Sequence, residues 1–120
     1  MNNKKSIFIL VSFSMPLLLL SAPLGQTQDP EVYRQQANAD ALAATTILTQ
    51  AEQLLQGNMT RARAESAVAL YARAGKLFEK AAGVYENLGP QYSRPEDATN
   101  ARQAMDLCMR RIHEIKQRVR

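Results

Sequence analysis

Few side chains in this chain could do chemistry. Cys108, His113 and the hydroxyls of Thr60, Ser66 and Ser93 stand out as candidate nucleophiles or bases. A hydroxyl attacks a substrate only when a base takes its proton and an acid orients that base. No such trio converges in the pattern, because the carboxylates are scattered over polar positions. A single cysteine excludes an internal disulfide and a thiolate metal site. His113 has no second His or Cys at ligand spacing. A zinc-protease HExxH, a phosphate-cradling glycine loop and a dinucleotide fingerprint are all missing. The sequence therefore predicts a protein that is not an enzyme and uses no cofactor or metal.

Binding is what remains. Cys108 lies in the middle of an apolar stripe, where it reads first as a small buried hydrophobe. The sharper alternative is an intermolecular disulfide across a helix–helix seam in an oxidising compartment. Arg110, Arg111, Lys116, Arg118 and Arg120, with His113 among them, form a basic tail. Cations there complement the negative end of a helix. They could also touch anionic lipid head groups or an acidic partner, at about 1 kcal/mol per residue near a charged surface. Tyr33, Tyr85 or Tyr92, if exposed, would suit a peptide hot spot; ordinary packing is the plainer reading. The formal charge is +4, and Lys4 and Lys5 supply two of those charges. The remainder is too weakly basic for nucleic-acid binding argued from charge.

These residues are positioned by three segments of helical periodicity. The organiser is 61–88, with Thr60 as its N-cap and Gly89-Pro90 as its stop. Ala64, Ala67, Tyr71, Ala74, Phe78 and Tyr85 fall on one stripe at 100° per residue. Leu70, Leu77, Ala81, Val84 and Leu88 form a second stripe beside it. Together they cover roughly half the circumference, more than the ~100° arc of a helix lying on one surface, so a helix is needed on each flank. Gly83 falls on the polar side with no evident purpose. The first flank is about 30–56, capped by Asp29 and Pro30, with a stripe through Leu42, Ile47, Leu48, Ala51, Leu54 and Leu55. The second is 95–118, opened by Ser93 and Glu96 at capping-box spacing. Its line Ala98, Ala101, Met105, Cys108, Ile112 and Ile115 alternates spacings of three and four and is widened by Met109. That line serves either the intramolecular contact, which is favoured, or a dimer seam, so monomer and homodimer both stay open.

Residues 1–28 read as a secretory signal peptide. Lys4 and Lys5 precede an apolar run from Ile7 to Leu20, followed by the small and turn-forming residues Ser21, Ala22, Pro23 and Gly25. The run is shorter than the roughly 20 residues that span a bilayer. The expected location is therefore periplasmic or secreted, with an uncleaved membrane anchor as the alternative.

Tyr71-x2-Ala74-Gly75-x2-Phe78 resembles the aromatic-x2-Leu-Gly-x2-Tyr signature of tetratricopeptide repeats, with Ala where Leu is usual. Ala101-x3-Met105-x2-Cys108 sits where the second helix of that repeat carries Ala-x3-Phe-x2-Ala. The likeness covers about residues 51–112. It departs in its longer helices, in Pro90 falling too late, and in room for only one and a half repeats. The resemblance implies stacked helical hairpins and a surface that binds peptides or proteins. Leu48-Thr49-Gln50-Ala51-Glu52 is also similar to the Leu-Thr-x-x-Gln element of small periplasmic chaperones, with Glu52 in place of Gln. The expected fold is thus all-α: a three-helix antiparallel hairpin array, tetratricopeptide-like, after the signal peptide. The expected role is an exported protein–protein interaction or scaffold module, with Tyr85, Tyr92, Arg110 and Arg111 as partner-binding candidates. Alternatives are a chaperone-like envelope protein and a membrane-surface protein.

Overall fold

The computed structural model describes residues 29–119. The signal-peptide reading of 1–28 and the end of the basic tail at Arg120 lie outside the described residues. Three helices, α1 (Pro30–Leu54), α2 (Arg61–Leu88) and α3 (Pro95–Arg118), account for nearly all of the described chain, and no strand occurs in it. Among the described residues no helix is long and apolar enough to cross a membrane.

Each helix starts and stops for a local reason. The Asp29 carboxylate accepts from the Glu31 N–H at 2.9 Å, with Pro30 following in the first turn. Thr60 Oγ1 accepts from Arg63 N–H at 3.1 Å, closing the first turn of α2. The expected capping box at Ser93 does not form. Arg94 is the N-cap of α3, and its N–H donates to the Asp97 carboxylate at 3.0 Å. Pro95 imposes this, since it suits the first helical position and pushes the residue before it into extended backbone; Arg94 has ψ 150°. The Ser93 hydroxyl turns back instead, donating to the Tyr85 carbonyl at 2.9 Å and closing the end of α2. Gly89, which follows α2, has φ +80° and ψ 177°. That combination lies outside the left-handed helical well, in a region essentially reserved for glycine.

The stop of α1 falls at Leu54 because its last turn tightens. Leu55 and Gln56 N–H groups bond three residues back, to Glu52 and Gln53. The carbonyls left over are taken by Arg63 of α2, whose guanidinium donates to Leu54 O at 2.9 Å and Gln56 O at 2.8 Å. A cation at the negative end of a helix satisfies both the hydrogen-bond deficit and the dipole.

α2 lies against both other helices, whereas α1 and α3 make few contacts with one another. Tyr71 reaches Glu52, Lys80 reaches Asp40 and Tyr85 reaches Asn38, so residue numbers rise along α2 as they fall along α1. Likewise Gly75 faces Cys108, and Glu86 pairs with Arg102. The described residues extend over 52 × 36 × 19 Å.

The core is built mainly of alanine. Ala37, Ala44 and Ala51 are fully buried on α1, and Ala67, Ala74, Ala81 and Ala82 on α2. Tyr71, Phe78 and Tyr85 supply the rings, and Cys108 and Ile115 the larger buried side chains of α3. Two expected core residues are outside: Leu42 is 69% exposed and Met109 is 59% exposed. Small side chains let helices approach closely, and the line of closest approach then selects alanines over a neighbouring leucine.

Gly83 has nothing within 4 Å of where a Cβ would stand. Replacing it by alanine removes the helical entropy cost of glycine without a clash. Gly83→Ala is therefore expected to stabilise the domain by about 0.5–1 kcal/mol in chemical denaturation. Destabilisation would mean the backbone of α2 needs glycine there.

Candidate interaction surface

Two regions of the surface stand out: the cleft where α1 and α3 lie on α2, and the outward face of α1. The cleft holds about 320 Å³ and is lined by Ala41, Thr45, Leu48, Phe78, Ala101 and Ala104, among others. It is predominantly apolar, and Tyr85 and Asp97 border it. A second hollow of about 380 Å³ lies between Glu52 of α1, Leu55 just past its end, and Arg111, Glu114 and Ile115 of α3.

A polar chain crosses from α1 to α3 beside this second hollow. Tyr71 is fully buried, and its hydroxyl donates to the Glu52 carboxylate. Arg111 Nε donates to Glu52 Oε2 at 3.3 Å, and Arg111 Nη1 donates to Glu114 at 3.1 Å. Burial, then the hydrogen bond to Glu52, holds the Tyr71 phenol well above the ordinary tyrosine range. Glu114, first of all, keeps the Arg111 guanidinium firmly protonated. One carboxylate thus ties all three helices together. Arg111 is shared between this carboxylate and that of Glu114, and the arrangement links the helices.

Tyr85 is 5% exposed, with its hydroxyl donating to Asn38 Oδ1, and is not available as a surface ring. Burial shifts its phenol upward, helped by Asp97 and opposed by Arg34. Cys108 is fully buried as a free thiol, and burial raises its pKa. An intermolecular disulfide would require α3 to leave α2, so the folded domain does not present this thiol. Arg111 belongs to the link just described, while Arg110 is exposed one position earlier on α3. Tyr92 is 40% exposed in the turn between α2 and α3, at a hollow shared with Glu31, Arg34 and Asp97. The partner-binding candidates are therefore not brought together: one is buried, one is a cross-link, and two lie in separate parts of the surface.

Sequence reasoning passed over Glu52 as a tether and Arg63 as a cap. A tyrosine inside a buried stripe needs a partner for its hydroxyl, and that demand at Tyr71 was the signal for Glu52. Nothing in the pattern distinguished Arg63 from the other arginines.

The outward face of α1 was not singled out either. Of the five exposed large hydrophobic side chains among the described residues, Val32, Tyr33 and Leu42 belong to α1. Between Arg34 and Glu52 the only charge on the helix is Asp40, which turns inward to an ion pair with Lys80 at 3.5 Å. Thr45, Thr46 and Thr49 each donate their hydroxyl to the carbonyl four residues back. Hydroxyls used this way are occupied by their own helix, which makes the surface less polar than its composition suggests. The exposed positions of α2 and α3 are different, carrying Arg73, Lys76, Glu79, Glu86, Asp106 and Arg110.

Among the described residues, no group of three or more His, Cys, Asp or Glu side chains is placed to hold a metal ion. Comparison with family models, curated proteins and solved structures finds no match to this chain.

Proposed function

We propose that this protein is an exported, non-catalytic interaction or scaffold module. Its three helices would form an antiparallel hairpin array of tetratricopeptide type, with room in this stretch for one and a half repeats. The pairings Glu52–Tyr71, Asn38–Tyr85 and Glu86–Arg102 support the antiparallel course. Export rests on the charged, apolar and small-residue order of residues 1–28.

The observation that carries the interaction role is the uncharged outward face of α1. A solvent-facing helix surface ordinarily carries charged residues opposite its buried stripe. Here a face with Leu42 at 69% exposure and no charge from Gln35 to Gln50 other than inward-turned Asp40 stands open. Such a surface suits the apolar stripe of another helix.

The test is a photo-crosslinking residue placed at position 42 in the protein as exported by living cells, with Lys76 of α2 as the control site. Discrete crosslinked products from position 42, and few from 76, are the expected result. Equal, weak labelling from both sites would remove the interaction reading.

A further inference from the structure

We propose that the occupant of this face is a second copy of the same chain, with α1 packed antiparallel against α1 of its partner about a two-fold axis at Leu42. The proposal rests on the interaction reading of the α1 face and adds what covers it.

The first argument is charge. A face without charge has no electrostatic means of selecting a charged partner, but it can meet its own copy without desolvating an ion or opposing like charges. Both sides of an isologous contact must be self-complementary, and this face meets that condition over its length.

The second argument is spacing. Gln35, Ala39, Leu42, Thr46 and Thr49 follow one another at intervals of four, three, four and three, the periodicity of a left-handed helix–helix seam. All five are exposed. Their order is close to symmetrical about Leu42, which is also the midpoint of the 25-residue helix. Reversing one copy therefore keeps full overlap, setting Leu42 on Leu42, Ala39 near Thr46 and Gln35 near Thr49. The other side of α1 is already committed to α2 through Ala37, Ala44 and Ala51, so the helix has two seams and one is vacant.

The third argument is direction. A parallel pair would set Glu31 and Arg34 beside their own copies and align the two helix dipoles. The antiparallel pair places each amino end beside the partner's carboxyl end, the favourable arrangement. A helix of this length spans about 37 Å. The pair would bury on the order of 1,000 Å² over both copies, at the lower edge of specific interfaces. The dimer is accordingly weak and concentration-dependent.

Sedimentation equilibrium of the purified exported protein, over roughly 1–300 µM to cover weak association, tests this. The expected result is a rise from monomer toward dimer mass. Leu42→Glu should weaken association at least tenfold without changing the circular dichroism melt, because the side chain is exposed. Met109→Glu, on the equally open face of α3, should leave association unchanged. For direction, Leu42→Cys should form a disulfide-linked dimer on oxidation. Gln35→Cys should do so only when mixed with Thr49→Cys, and buried Cys108 does not compete. Monomer mass throughout the range overturns the proposal, as does a dimer indifferent to Leu42→Glu or a Gln35→Cys protein that crosslinks to itself. Crosslinks from position 42 to a different protein, with monomer mass, would sink self-pairing and leave the interaction role standing. Absence of both would sink the two together.

Discussion

Tyr71→Ala is expected to lower the unfolding free energy by about 3–5 kcal/mol, measured by urea denaturation followed by circular dichroism. Tyr71 is the largest fully buried side chain among the described residues, and it touches the place where all three helices converge. Removing the ring leaves a cavity among alanines, which have no length with which to fill it. A domain of this size has on the order of 5–13 kcal/mol in total, so the variant should be largely unfolded on mild warming. Tyr71→Phe separates ring from hydroxyl. It keeps the packing and loses one hydrogen bond to Glu52, at about 1 kcal/mol. If the two variants cost the same, the polar link and not the packing holds the centre.

The same residue gives a pH dependence whose sign is fixed. The phenol is raised in the folded state above its ordinary value of 10.0. The unfolded chain therefore loses its proton first as pH rises. Stability from this group is whole below about pH 10 and declines above it. Tyr71→Phe should soften that alkaline decline. Tyr85 is also raised, by burial first, so part of the decline survives in the variant.

Much of this architecture is legible in the residue pattern, for identifiable reasons. α2 could be read because Thr60, Gly89 and Pro90 bracket it and because its buried stripe, Ala64 to Tyr85, mixes rings with alanine over about six turns. Asp29-Pro30 marks the start of α1 in the same way. Ser93 misled because two residues, Ser93 and Arg94, competed for the cap, and only the φ preference of Pro95 decides between them. In the stripe of α1, Ile47, Leu48, Ala51, Leu54 and Leu55 do pack on the core, and Leu42 alone misled, for a different reason. Ranking positions by hydrophobicity selects Leu42, but the contact with α2 follows Ala37, Ala44 and Ala51, two turns apart each time. Side-chain size, not apolarity alone, decides which line of a helix can come closest to its neighbour. The surface of α1 was hard to read because its message is an absence of charge, and periodicity methods score what is apolar, not what is missing.

Ala44→Leu follows from the same fact and is expected to destabilise by about 1–3 kcal/mol, with more possible where backbones cannot part. Ala44 is fully buried at the middle of the α1–α2 contact, and the core cluster it joins includes Ala67, Tyr71 and Ala74. Three added heavy atoms there must either adopt a strained rotamer or push α1 outward, and Tyr85–Asn38 and Tyr71–Glu52 on either side resist that movement. Ala43→Leu, one position away and exposed, adds the same atoms in solvent and should change stability by less than about 0.5 kcal/mol. For a domain of about 90 residues each kcal/mol moves Tm by roughly 4–8 °C, so the two leucines should separate clearly in a thermal melt. The pair isolates geometry, since composition and helix propensity are identical in both. If Ala44→Leu melted with Ala43→Leu, α1 would not be closely seated on α2. Its outward face would then owe its lack of charge to something other than a fixed place in the fold.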